Sequence, residues 1–422
     1  MTALLLGILI TSVAYSLTDS SVIIQNNGGI SYSEVIAPSG SAHDVQATVD
    51  AVAAIGGGTV RIPQGDFVFN PPGVANGKGV SVPIGVNIIG AGKGVTILRE
   101  SIDVAATYSV KTFMFYLGWT PDTRKTNRIS GISFIGNATS DSDDKVGIFI
   151  EGRKDFRVDN CAFQDFPSQA VYIRGSRGVI DHCDFDNPYK DSFPPKSDPD
   201  GQPWAVWGYG IIVLGSGGAE SWVTDTSTFL GVYDTWGTGH PPVYIENCNF
   251  TRCRHAIASN TNGFYVSRFN NFTTATPYGQ IDVHGGNPGG RGMESYNNTF
   301  DLSDESYSFG QDAAFQLRGG GGVVFNNTVI FNASYTNRAV WLLLETTPPW
   351  DIHQLYVWNN TARYTSGTLV DFDSKMVIAE GAAILNVDYF LRAPNQAQDG
   401  FTYMPIAYPF PFSQYGISNT SP

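Results

Sequence analysis

Cationic side chains are scarce in this chain. Of 422 residues, 25 are Lys or Arg against 38 Asp or Glu, which leaves a net charge of −13. Nucleic acid is therefore excluded as a partner, because the attraction to phosphates that drives such binding is absent. An acidic polysaccharide is also repelled at long range, so any polyanion site has to be a local basic patch. Lysine is missing altogether between Lys196 and Lys375. Apolar runs are too short to cross a bilayer, which excludes a transmembrane helix. The four cysteines form no CxxC and sit in no Cys/His cluster, so a bound transition metal is not expected. Helical periodicity is confined to one segment, Ser41 to Ile55, where Val45, Val49, Val52 and Ala53 share a face that ends at Gly56-Gly57-Gly58.

In place of helices there is a recurring phrase. It reads DNCAF (159–163), DHCDF (181–185), ENCNF (246–250), RFNNF (268–272), YNNTF (296–300), FNNTV (325–329) and WNNTA (358–362). The residue two before the apolar position serves as a marker: Cys161, Cys183, Cys248, Asn270, Asn298, Asn327 and Asn360. Successive markers are 22, 65, 22, 28, 29 and 33 residues apart. Self-similarity at this period signals a solenoid whose units bury their apolar faces on one another. Short strands and polar turns make it a parallel β-helix, all-β, and the long step is a coil with an insertion at about 187–242. The Ser41–Ile55 helix would cover the open N-terminal end. The coils run within 41–389, after an extended segment at 15–40, and a Pro- and aromatic-rich tail occupies 390–422.

Residues 1–14 read as a secretory signal peptide, since the short apolar run Leu4–Val13 closes on Ser12-Val13-Ala14. A retained hydrophobic N-terminus used for anchoring or assembly is the alternative, and self-association stays open. Secretion would give meaning to eight Asn-X-Ser/Thr sequons, at Asn137, Asn249, Asn271, Asn297, Asn326, Asn332, Asn359 and Asn419. It would also permit a disulfide, with Cys161–Cys183 as the first pair to consider, although a small-residue ladder explains the same column.

The run DVQATVDAVAAIGGGTVRIPQGDFVF followed by GVNIIGAGKGVTILR resembles the opening of pectate-lyase-superfamily proteins, which are right-handed single-stranded parallel β-helices. The resemblance spans roughly 40–370 and implies the fold. It leaves activity open, because lyases, hydrolases and adhesins share it. RHAIASN (254–260), YVSRFNN (265–271), DVHGG (282–286) and GRGMESYNNTF (290–300) are similar to secreted β-helix proteins tied to polysaccharide breakdown. That similarity implies weight on Arg254, His255, Arg268, Asp282, His284 and Arg291. The lysine gap and the lack of a closely spaced Asp ladder depart from calcium-dependent pectate cleavage, and calcium is the one cofactor left open.

Aligning one strand from each coil puts Asp282 beside Gln316 and His284 beside Arg318, with Asn260 on the neighbouring coil. These alternate outward from Ile281, Val283, Phe315 and Leu317, which point to the core. In β-elimination of a uronate, Arg318 would take the carboxylate and His284 the proton, with Asp282, His255 and Arg268 as further actors. Asn260, Gln316, Arg254 and Arg291 would bind sugar hydroxyls, and Trp204, Trp207, Tyr209 and Trp236 of the insertion would stack on sugar rings. The plain alternative is an outer face that is polar only to keep the sheet soluble. The function expected is therefore binding or β-eliminative cleavage of an extracellular polysaccharide. The rivals are a non-catalytic adhesin or structural glycoprotein and, behind both, a glycoside hydrolase.

Overall fold

The computed structural model describes residues 22–27, 30–70, 79–101, 112–120, 125–137, 145–166, 168–187, 196–197, 203–204, 208–215, 227, 230–232, 242–273, 278–286, 288–304, 313–332, 338–343, 345, 350–372, 377–380 and 383–412. The proposed signal peptide, Trp207, Trp236 and Asn419 lie outside these residues. Three long sheets carry the fold, and each coil gives one strand to each sheet in turn. One coil shows the pattern: Lys145–Glu151 in the third sheet, Lys154–Asp159 in the first and Ala162–Gln164 in the second. The next coil lies on it in parallel register, with Ile148 over Val171, Val158 over Ile180 and Phe163 over Phe185. A right-handed parallel β-helix is the result, as parallel crossovers require.

The repeated phrase is the turn between the first and second sheets. The residue before each marker is in the left-handed region: Asn160, His182, Asn247, Phe269, Asn297, Asn326 and Asn359 have φ between 51 and 56°. Asn and His tolerate that conformation better than most residues, which accounts for their recurrence there. The markers themselves point inward as one column. Cys161, Cys183 and Cys248 are buried free thiols, each directed at the carbonyl two residues back, at 3.3 to 3.4 Å. The disulfide considered for Cys161 and Cys183 is thus absent, because the column satisfies each thiol on its own turn.

From Asn270 onward the column becomes an amide ladder. Asn298 Oδ1 accepts from Asn270 N at 3.0 Å, Asn327 Oδ1 from Asn298 N at 3.0 Å, and Asn360 Oδ1 from Asn327 N at 3.0 Å. Two places beyond the first five markers, Phe163, Phe185, Phe250, Phe272 and Phe300 stack in one column with Phe134 of the preceding coil, at centroid spacings of 4.4 to 5.0 Å. That spacing is the rise between rungs, so one aromatic column fixes the register of the second sheet.

The helix forms as Ala42–Ala54, with Ser41 at its N-cap accepting from Asp44 N, and it buries Val45, Val49 and Val52. The segment expected to be merely extended contains an antiparallel pair, Val22–Asn27 with Ile30–Ile36, and the second of these starts the first sheet. The long coil carries two excursions, because Tyr209–Leu214 returns to the third sheet between Gln169–Arg174 and Ile257–Asn260.

The tail lies along the outer face of the first sheet. Phe401 meets Tyr356, Tyr403 meets Phe325, Tyr408 stacks on Phe269 at 3.6 Å, Phe410 meets Tyr244 and Phe412 meets Arg157. Its polar anchor is Arg268, which is fully buried. The guanidinium donates to Glu246, to the Tyr296 hydroxyl and to the carbonyls of Ile406 and Ala407.

Candidate functional site

The register of the third sheet brings Ile257–Asn260, Gly279–Val283 and Ala313–Leu317 side by side, with Ala258 opposite Asp282 and Asp282 opposite Gln316. His284 and Arg318 follow directly on the last two strands, and His284 N donates to Ser259 O. Parallel stacking therefore collects Asn260, His284 and Arg318 at one end of neighbouring strands, on the outside of the helix.

Asp282 is wholly buried, and Arg318 covers it with a two-pronged pair, Nε to Oδ1 at 3.0 Å and Nη2 to Oδ2 at 2.9 Å. Burial alone would raise the Asp282 carboxyl. Arg318 outweighs it and holds the group below the ordinary carboxylate value. Burial likewise works to lower the Arg318 guanidinium, and Asp282 and Glu345 more than reverse that. The third prong, Nη1, donates to Glu345 Oε1 at 3.1 Å. Glu345 Oε2 accepts from the Gly285 backbone N–H at 2.9 Å and lies 3.4 Å from His284 Nδ1.

Nothing in the sequence pattern marks Glu345, which sits in the connection after Arg338–Leu343, where the repeat sets no register. His284 Nδ1 lies 2.7 Å from the Gly285 carbonyl, which can only accept. Nδ1 therefore carries a hydrogen, and in the neutral ring Nε2 carries the lone pair. The His284 and Glu345 side chains are 33% and 37% exposed, against 14% for Arg318 and 0% for Asp282. Asp282 thus braces the site from below, while His284 and Glu345 are what a ligand would meet.

A buried layer stands behind this rim. His255 lies between the rings of Tyr209 and Tyr278, at 5.1 and 5.7 Å, with Nδ1 2.5 Å from Gly279 O. Burial pushes its imidazole down to about 3, so it is neutral and holds structure without reaching a substrate. Arg254 lies over Tyr278 at 4.4 Å. Tyr209 is buried in the same layer and offers no free ring face for stacking. Gln316 is buried too, with Oε1 accepting from Gly279 N, whereas Asn260 is half-buried beside the rim, its Oδ1 turned to Thr261 N.

Two residues that the sequence grouped here lie elsewhere. Arg268 belongs to the first sheet beneath the tail, and Arg291 is buried at the turn into Gly292–Tyr296, where desolvation lowers its guanidinium to about 10. Arg268 stands two residues before its marker, the offset of Asp159, Asp181, Glu246 and Tyr296, and that offset was a readable sign of a first-sheet position. Trp204 lies in the pair Lys196–Ser197 with Pro203–Trp204.

Among the described residues no group of three or more His, Cys, Asp or Glu is arranged to hold a metal ion, and no helix is long and apolar enough to cross a membrane. Of the sequons, Asn249 and Asn271 are exposed on the second sheet and bonded to each other at 3.1 Å, while Asn297, Asn326 and Asn359 are the left-handed turn residues.

No family model and no curated protein matches the chain. Among solved structures it is similar to ORF18 of Geobacillus virus E2, at 10% identity and TM-score 0.46, over 78% of this chain and 60% of that protein's length. It is also similar to an alginate lyase from Paenibacillus sp. str. FPU-7, at 15% identity and TM-score 0.43, covering 76% of this chain and 85% of that one. A third is PfbA, a surface adhesin of Streptococcus pneumoniae, at 14% identity and TM-score 0.46, covering 78% and 79%. Likeness at these values assigns no activity. The three parallel sheets and their coil-by-coil register give the chain a right-handed parallel β-helix fold.

Proposed function

We propose that the protein is a secreted β-helix that acts on an extracellular polysaccharide at the outer rim of the third sheet, and that its reaction is β-elimination at a uronate. The observation that carries this reading is the orientation of His284. Its Nδ1–H is tied to the Gly285 carbonyl, so in the neutral ring Nε2 is the basic atom, on a part-exposed side chain one strand from an arginine. In the reaction the C5 proton passes to His284 Nε2 and its electron pair forms the C4=C5 double bond. The C4–O4 bond breaks, and the leaving oxygen takes a proton from solvent. Arg318 Nη1 is the arm that faces the rim, and it would lower the cost of charge building up on the substrate carboxylate. An alginate lyase and a surface adhesin among proteins of similar fold are consistent with either cleavage or binding alone.

One observation favours the second reading, non-catalytic recognition. Every prong of Arg318 already meets a carboxylate, Asp282 or Glu345. The experiment is a panel of uronate-containing and neutral polysaccharides, followed by near-ultraviolet absorbance of the conjugated double bond. A rise with a uronate polymer that disappears in His284→Ala supports cleavage. An undiminished rise in that variant removes His284 from the reaction, and binding without any rise leaves recognition alone.

A further inference from the structure

Building on the reading just given, we infer that Arg318 Nη1, the Gly285 N–H and His284 form a receptor for a sugar carboxylate, and that Glu345 is its internal occupant. Each oxygen of Glu345 has its own donor, Oε1 from Arg318 Nη1 at 3.1 Å and Oε2 from Gly285 N at 2.9 Å, and His284 stands 3.4 Å from Oε2. One guanidinium arm plus one backbone amide is how a carboxylate of any origin is held. The cradle also depends on a missing side chain: a Cβ on Gly285 would lie 2.6 Å from Glu345 Oε2 and 2.7 Å from its Cβ. Alanine there would close the space that the carboxylate fills.

The two carboxylates on Arg318 differ in kind. Asp282 is wholly buried and takes two prongs, so exchanging it would strand a buried charge. Glu345 is 37% exposed and takes one, and a pair at that exposure gives up its partner cheaply. Asp282 therefore keeps the guanidinium in place while Glu345 yields to an incoming uronate. The saturation of Arg318 then describes a filled site instead of an unusable one. The same carboxylate in the same cradle would compete with substrate, so Glu345 sets the threshold for polymer entry.

Glu345→Ala, Glu345→Gln and Asp50→Asn test this. The last removes one negative charge from the exposed face of the helix, far from the rim. Binding of oligouronates and of neutral oligosaccharides of equal length is measured by calorimetry. Acetate is titrated separately, with the His284 ring proton followed by NMR. The expected result is that Glu345→Ala binds oligouronates about tenfold tighter or better, about 1.4 kcal/mol. Glu345→Gln should gain less, Asp50→Asn nothing, and neutral sugars should be unchanged.

Equal or weaker uronate binding by Glu345→Ala, or an equal gain for neutral sugars, overturns the inference while leaving a polysaccharide surface standing. Acetate that shifts His284 in Glu345→Ala but not in the native protein, with no glycan bound by either, upholds the receptor and overturns the polysaccharide reading. Silence of both probes overturns both. Should Glu345→Ala fail to fold, the Glu345→Gln comparison decides alone.

Discussion

Asp282→Asn tests the foundation of the site. The substitution keeps the shape and an acceptor oxygen but removes the charge beneath Arg318, whose Nε and Nη2 would then lose their charged partner. Breaking a buried ion pair from one side costs about 3–5 kcal/mol. Arg318 is 14% exposed and keeps Glu345, so the lower end, about 3 kcal/mol, is expected. A stacked array does not unfold in two states, so a global midpoint would dilute a local loss. Hydrogen exchange in Gly279–Val283 and Ala313–Leu317 reads it directly, as a drop in protection of roughly a hundredfold or more. Adding Arg318→Met should restore part of that protection, because an apolar residue replaces the stranded cation.

The pH dependence has a definite sign. The Asp282 carboxyl is held below its ordinary value, so the stabilisation is present above the unfolded value of 3.8 and fades only as pH falls through the lower folded one. Protection unchanged in Asp282→Asn, or equal losses in the single and double variants, would refute the idea that this pair braces the rim.

Three other outcomes follow from the packing. Burial pushes the Glu294 carboxyl up to about 7, against the Gly231 N–H, the Tyr403 hydroxyl and Arg268. A group raised in this way from 4.5 contributes stability that is full below that value and lost as pH rises through about 7. Proteolysis within 400–412 should therefore quicken as pH rises from 4.5 to about 7 and level off above that in the native protein, and be flat with pH in Glu294→Gln. Phe272→Ala, which opens the aromatic column between Phe250 and Phe300, should cost about 3–5 kcal/mol of local stability, seen as exchange in the flanking strands. Asn298→Ala should cost about 1–3 kcal/mol by leaving the Asn270 backbone N–H without its acceptor, whereas the half-buried, left-handed neighbour Asn297 tolerates replacement by Gly.

The fold was legible because its period is written in the turns. Each marker follows a left-handed residue, and that requirement selects Asn or His at every turn but the one at Phe269. The juxtaposition of Asp282, Gln316, His284 and Arg318 followed from register alone, since parallel strands of equal phase must stack. What was not legible came from segments outside the repeat. Glu345 lies in a connection that no period constrains, so neither its arrival on Arg318 nor the saturation of that guanidinium could be inferred. Burial was the second blind spot. Gln316 alternates outward like an exposed residue, yet other groups cover it, and the strand pattern carries no sign of that covering. Arg268 shares its segment with residues of the expected site, but its place two before a marker puts it on the first sheet.

The most direct measurement is a crystal structure of His284→Ala with a bound oligouronate. A sugar carboxylate within hydrogen-bonding distance of Arg318 Nη1 and the Gly285 N–H, with the Glu345 side chain turned out of the cradle, is the predicted result. An oligosaccharide seated on another face, with Glu345 still bonded to Arg318, would contradict it.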